Sequence, residues 1–321
     1  MAVVFLCKYI NMNLKPKIIV VLGPTATGKS DIAVQIAEKL SAQGGSALGG
    51  NGAEIISADS RQVYKGMDLG SGKITKKEML GIPHHLLDVV NPKTFFSVVK
   101  YKELTEKAIE KIISKGKTPI ICGGTGFYID SIVKNIELPK VELNKKLRQK
   151  LEKLSAEKLF EMLEKLSPSR SKNIDKFNKV RLIRAIEIAK TLGEIPKLIE
   201  KQNKFDFIFI GLDTNDAILK ERIAIRLIKR IELGMIKEIE RLHKQSVSWK
   251  RLESFGLEYR QTAFFLQKKI TKNEMINNLN NEIWHFVKRQ RTWFKRNKQI
   301  KWFKPKEIKS VLKFINTKLK V

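Results

Sequence analysis

Lys29 and Ser30 close the run Gly23-Pro24-Thr25-Ala26-Thr27-Gly28-Lys29-Ser30, which fits the spacing G-x-x-x-x-G-K-[ST] of a phosphate cradle. Each residue type has a task in such a loop. Gly23 and Gly28 let the backbone turn its N–H groups inward on anionic oxygens, Lys29 supplies a mobile charge, and the Ser30 hydroxyl can hold Mg²⁺. A second candidate group is Asp59, in the run Asp59-Ser60-Arg61-Gln62. Its carboxylate could act as a general base or Mg²⁺ partner, or it could cap the element that follows.

These groups work together only if the right elements carry them. The β-branched residues Ile18, Ile19, Val20 and Val21 read as a buried strand ahead of the loop, and residues 31–40 have helical periodicity behind it. Residues 54–58 form a second apolar strand that delivers Asp59 to its carboxyl end, the edge where ligands bind in doubly wound sheets. The glycine-punctuated stretch 65–73 could close over a ligand, whereas the Gly-rich stretch 41–52 reads as a surface loop without a phosphate role.

Residues 83–90 are predicted as a third strand. Its adjacent His84 and His85 would point to opposite faces, which favours hydrogen bonding over a shared metal ion. A helix over Val98–Ser114 leads to a fourth strand at 118–122 and to the turn Gly123-Gly124-Thr125-Gly126. Gly123 and Gly124 permit either a close approach of backbone to ligand or a plain strand-to-helix turn.

From residue 141 to 166 leucines recur at helical spacing among lysines and glutamates, and residues 178–192 continue the pattern with Arg181 and Arg184 three apart. Strand character returns at 205–212, so a helical part is inserted between sheet strands. The Asn203-Lys-Phe-Asp206 run precedes its strand, where a base-reading loop should follow one, and carries no guanine-reading role. Helical patterns cover 217–243, 258–267 and 273–296. The last of these ends in Lys288-Arg-Gln-Arg-Thr-Trp293-Phe294-Lys-Arg296, which interleaves basic and aromatic residues as nucleic-acid surfaces do. The fold class is therefore α/β, a P-loop NTPase-like parallel sheet flanked by helices with an inserted helical lobe. The expected segments are 1–138, 139–200 and 201–321.

Lys and Arg outnumber Asp and Glu by 63 to 33 in 321 residues, a net charge of +30 that predicts attraction to a polyanion, with solvated lysine faces adding to the total. Cys7 and Cys122 are too few for a disulfide framework or a four-cysteine zinc site and are expected to stay reduced. The apolar opening is too short to cross a bilayer, and no later segment is long enough. Met12 offers an alternative start. The expectation is a monomeric cytoplasmic protein. Its groups suit a group-transfer enzyme acting on RNA, a small-molecule kinase, or a nucleotide-gated RNA-binding protein.

The ordered series GPTATGKS, DSRQVYKGMDLGSGK, HHLLDVVNP, GGTGFY, RLIRAIE, RIAIR, GLEYRQ and RQRTWFKR resembles the bacterial tRNA dimethylallyltransferases, also called tRNA isopentenyltransferases. The resemblance spans residues 18–296. It implies transfer of the dimethylallyl group of dimethylallyl diphosphate to N6 of the adenosine just 3′ of the anticodon, in tRNAs reading codons that begin with U. It assigns Thr25 to Ser30 to the diphosphate and its Mg²⁺, with Ser30 on the metal. It implies catalytic roles for Asp59, which would accept the N6 proton, for Thr125, which would stand where base and donor meet, and for Arg226, which would help to neutralise the diphosphate. Contacts to tRNA are implied for Asp59, Ser60, Arg61, Gln62, Thr125, Arg148, Val180, Arg181, Leu182, Ile183, Arg184, Gly256, Tyr259 and Arg260, with 139–200 as the tRNA-binding lobe. The sequence departs from the family pattern in the length of its Gly-rich 41–52 loop, in Gly256-Leu-Glu-Tyr-Arg-Gln261, and in Ile74 where a proline often stands.

Overall fold

A computed structural model describes residues 15–42 and 52–319. Cys7, Met12 and most of the Gly-rich loop lie outside the described residues. By their contacts the residues separate into two units, Asn135–Lys201 and the remainder of the chain on either side of it.

In the larger unit, β1 (Lys17–Leu22) leads through the phosphate loop to α1 (Lys29–Ala42), followed by β2 (Ala53–Ser57), a short β3 (His84–His85), α2 (Val98–Ser114), β4 (Thr118–Gly123) and α3 (Gly126–Val133). The smaller unit holds α4 (Lys145–Leu151), α5 (Ala156–Leu166), the one-turn α6 (Pro168–Ser171) and α7 (Lys179–Leu192). The larger unit resumes with β5 (Asp206–Leu212), α8 (Asp216–Glu232), α9 (Met235–Lys244), α10 (Trp249–Ser254), α11 (Leu257–Leu266), α12 (Lys272–Phe294), β6 (Lys301–Phe303) and α13 (Ile308–Leu319).

The sheet is parallel throughout, in the order β3-β2-β4-β1-β5-β6. β1 is buried on both faces, which is why its sequence is an unbroken β-branched run rather than an alternation. Ile18, Val20 and Leu22 pack with α2, α3, α8 and α12 on one face. Ile19 and Val21 pack with α1 and α13 on the other. Leu22 pairs with Gly123 of β4, and Ser57 of β2 pairs with Cys122. This register brings the carboxyl ends of β1, β4 and β2 side by side.

Helix boundaries follow local chemistry. Asn215 caps α8 by accepting the Ile218 N–H, and Thr271 with Glu274 forms a reciprocal capping box on α12. The 217–243 pattern is two helices, because Gly234 at φ +102° breaks it between α8 and α9. The predicted third strand stops at His85. Leu86 and Asp88 adopt positive φ, and the chain folds back onto the 62–64 turn through the Asp88 and Val89 N–H groups. His85 bonds Glu54, a buried carboxyl that also receives Lys115 and Lys117 and is held down at about 2 by those bonds against the opposing pull of burial. β6 lies where no strand was expected, and the 301–319 tail ends as α13 against α1.

The smaller unit closes around Leu151, Leu159, Leu163, Leu182, Ile183 and Ile186. Its fully buried Glu187 accepts from Arg148 at 2.9 and 3.0 Å, from Arg184 and from the Asn144 N–H. No helix among the described residues is long and apolar enough to cross a membrane.

Candidate active site

The phosphate loop is built as an anion nest. Gly23, Ala26 and Gly28 have φ of +140°, +64° and +78°, and the N–H groups of Ala26, Thr27 and Gly28 have no acceptor among the described residues. Only glycine fits at position 23, because a Cβ there would meet the Leu212 carbonyl oxygen at 2.2 Å. Thr27 and Lys29 both donate to the Pro24 carbonyl, which fixes the loop from within. Desolvation, opposed in part by Cys122 and Asp59 and reinforced by Arg226, brings the Lys29 pKa down to about 8. Burial pushes the Cys122 thiol up to about 12, so it is inert core filling.

Asp59 leaves the end of β2 and does two things with one carboxyl. Oδ1 accepts the Arg61 and Gln62 N–H groups at 2.8 and 3.3 Å, capping the turn, while Oδ2 has no hydrogen-bond partner among the described residues. The Ser60 N–H donates to Thr125 Oγ1 at 3.1 Å, and the Thr125 N–H donates to the Ala58 carbonyl. Thr125 thereby locks the Asp59 turn to the end of β4. Arg61 is tied through Nε to the Phe255 carbonyl, and Gln62 bridges Ser57 and the Gly72 carbonyl.

A cavity of about 900 Å³ joins these parts, and it lies within the larger unit. Thr25 to Ser30, Asp59 to Gln62, Thr125, Arg226, Gly256, Tyr259 and Arg260 line it. On its α8 wall, desolvation and the adjacent Arg230 lower the Arg226 pKa to about 10, so Arg226 stays cationic at neutral pH. It makes no ion pair or hydrogen bond among the described residues, whereas Arg230 is paired with Glu258 at 3.1 Å. An open nest, an unpaired guanidinium and an ammonium in one cavity make a receptor for a multiply charged anion.

The same site tests the fit of Mg²⁺. Among the described residues no cluster of three His, Cys, Asp or Glu could cage a metal. The Ser30 hydroxyl lines the cavity without a protein partner. One hydroxyl beside a phosphate nest suits an ion held mainly by substrate oxygens and water.

Several residues expected at the surface of the site do other work. Tyr259 is 1% exposed, and its hydroxyl donates to Glu238. Glu238 in turn accepts the Asp68, Leu69 and Gly70 N–H groups at 3.0, 2.7 and 3.1 Å. Lys73 ties Tyr64, Asp68 and Asp88 together. The 65–73 stretch is thus a pinned wall rather than a closing lid. Glu238→Gln, which sets an amide against backbone donors, is expected to lower unfolding stability by about 1–3 kcal/mol. An unchanged urea midpoint would rule this out.

Gly124 lines the cavity, yet at both Gly123 and Gly124 the space a side chain would take is already filled by the protein. A Cβ at the first would strike the Ala58 carbonyl and at the second Gln290 Nε2, at 2.2 and 2.3 Å. The RQRTWFKR helix end is divided between an inner and an outer face: Gln290 and Phe294 are buried, Arg291 is paired with Asp213 and Asp216, and Trp293 donates to Asp130. Lys288, Arg289, Lys295 and Arg296 remain exposed. In the smaller unit Leu182 and Ile183 are core residues and Arg148 and Arg184 hold Glu187, so Val180 and Arg181 are the exposed members of that group. Sequence reasoning missed Glu238 and Gln290, since neither carries a local signal of its long-range partners.

Residues 62–297 match the family model described as IPP transferase. The chain is 42% identical over 293 residues to tRNA dimethylallyltransferase 2 of Treponema denticola, an alignment covering 90% of this chain and 94% of that one. It is 38% identical over 283 residues to tRNA dimethylallyltransferase 1 of Syntrophus aciditrophicus, covering 87% and 89%. Among solved structures, the full-length tRNA isopentenylpyrophosphate transferase of Bacillus halodurans matches with a TM-score of 0.69 at 30% identity, covering 95% of this chain and 97% of that chain.

Proposed function

The chain belongs to the IPP transferase family, and from that premise we propose that it transfers the dimethylallyl group of dimethylallyl diphosphate to N6 of the adenosine just 3′ of a tRNA anticodon. The observation that carries the proposal is the shared cavity, where the phosphate nest, the unpaired Arg226 and the uncapped Asp59 Oδ2 all open.

The reaction breaks the bond between the allylic carbon and the diphosphate, so negative charge accumulates on the leaving group. The N–H groups of Ala26, Thr27 and Gly28, with Lys29 and Arg226, would meet that charge as it grows, since all of them line the one cavity. Ser30 would hold Mg²⁺, which when bound would screen the diphosphate oxygens. An exocyclic amine is a weak nucleophile, and Asp59 Oδ2 would take its proton as the C–N bond forms. Ser60, Arg61, Gln62 and Thr125 would frame the extruded base, and leaving the RNA stack costs about a few kcal/mol, offset by phosphate contacts elsewhere. Val180 and Arg181 would serve the anticodon arm from the helical unit. On this reading the protein acts as a monomer, in the cytoplasm where tRNA substrates reside.

The test is to incubate the protein with labelled dimethylallyl diphosphate and an anticodon stem-loop, alongside a stem-loop with guanosine at the target position. Label should enter only the adenosine-bearing RNA, with one diphosphate released per transfer. Unlabelled RNA with ATP turnover on a small acceptor would replace this reading by that of a kinase.

A further inference from the structure

The two halves of the cavity are joined by one buried amide. Gln290, on α12, is 5% exposed and reaches the carboxyl edge of the sheet between β1 and β4. Its Oε1 accepts the Thr25 N–H of the phosphate loop at 2.9 Å, and its Nε2 donates to the Gly124 carbonyl at 2.8 Å. The orientation of the amide is settled by its partners, since a backbone N–H can only donate and a carbonyl can only accept.

From Gly124 the chain passes directly to Thr125, whose Oγ1 holds the Ser60 N–H next to Asp59. A continuous path therefore runs from the phosphate loop through Gln290, Gly124, Thr125 and Ser60 to Asp59. Gly124 is glycine because Gln290 occupies its Cβ position, 2.3 Å from Nε2. The link is specific to glutamine: it needs a donor and an acceptor on one rigid group of this length.

We infer that Gln290 is a positioning residue for the transfer step, setting the distance between the diphosphate cradle and the Asp59 turn. The inference rests on the functional reading above. Transfer requires the reacting carbon and nitrogen to meet within about 3–3.5 Å, and a displacement of about 1 Å costs roughly 100-fold in rate. Neither substrate needs to touch Gln290 for this to hold. Its effect would fall on kcat and on the loop's grip of diphosphate, and leave the RNA-binding surface alone.

Two variants test it from opposite sides. Gln290→Met keeps the length and bulk of the side chain but removes both hydrogen bonds, and Gly124→Ala keeps the glutamine but forces its amide aside, since the new methyl carbon would lie 2.3 Å from Nε2. In both, kcat for dimethylallyl transfer should fall by about 100-fold, with the Kd of inorganic pyrophosphate raised by about 10-fold and that of the anticodon stem-loop changed by less than about two-fold. A purely structural role would instead lower the thermal midpoint while each folded molecule kept wild-type kcat. Wild-type kcat and pyrophosphate affinity in folded Gln290→Met would overturn the inference, as would an equal loss of RNA binding. If the wild-type chain transfers no dimethylallyl group, the functional reading fails, and the pyrophosphate measurement still decides whether Gln290 sets the loop.

Discussion

Asp59→Asn is expected to lower the single-turnover rate of transfer by about 10³-fold, within the range of a lost general base, while binding of the anticodon stem-loop changes by less than about three-fold. Asparagine keeps an oxygen where Oδ1 caps the Arg61 and Gln62 N–H groups, so the turn survives. What it loses is the second oxygen, the one without a protein partner, because an amide NH₂ cannot accept a proton. Asp59→Ala removes the cap as well and should be no more active than Asp59→Asn, with looser RNA binding. Asp59→Asn retaining more than about a tenth of the wild-type rate would remove the carboxylate from the proton transfer.

The second large effect concerns Lys29. Lys29→Met should reduce kcat/KM for the donor by about 10³-fold, since it deletes a cation aimed at charge that grows on the leaving diphosphate. A pH signature accompanies it. Desolvation first, and Arg226 after it, pull the Lys29 pKa down from 10.5 to about 8 in the free protein. The ammonium is the form that binds an anion, so the alkaline limb of kcat/KM should fall tenfold per unit above about 8, separate from the acid limb that protonation of the general base produces.

In kcat the same limb should move to higher pH, because bound diphosphate favours the ammonium. Lys29→Arg should abolish the limb, as its guanidinium does not titrate in this range. A limb that persists in Lys29→Arg would belong to another group. For folding the sign is opposite to that of a salt-bridged lysine. The folded state binds fewer protons than the unfolded one between about 8 and 10.5, so burying Lys29 reduces stability below pH 8, and that loss is relieved as pH rises toward 10.5.

The phosphate loop was legible because strand, glycine turn and helix are consecutive, and each states its backbone conformation locally. Ile18 to Val21 are β-branched because both faces of β1 are covered, and Gly23 and Gly28 stand where φ is positive. Asp59 was legible for the same reason, two residues beyond the end of β2. Helix ends followed their caps, as at Asn178, Asn215 and Thr271. Where the local signal misled, a distant contact had overruled it. His84 to Val90 has strand composition but is drawn onto the 62–64 turn, and Arg291 and Trp293 have the composition of an RNA surface but are spent on Asp213 and Asp130.

The order of the chain alone determined that a phosphate cradle sits on a buried parallel strand, that an acid follows the next strand, and that a helical unit interrupts the sheet. Only the tertiary structure decided which charges remain open to a ligand. Arg226 is unpaired while Arg148 and Arg184 share Glu187 and Arg230 is paired with Glu258, and residue type cannot distinguish them. It likewise decided that Gln290 belongs to the site, through a bond to a loop 265 residues away. The physical reason is that backbone conformation is dictated by near neighbours, whereas the state of a charge or an amide depends on whichever partner the fold brings within about 3 Å.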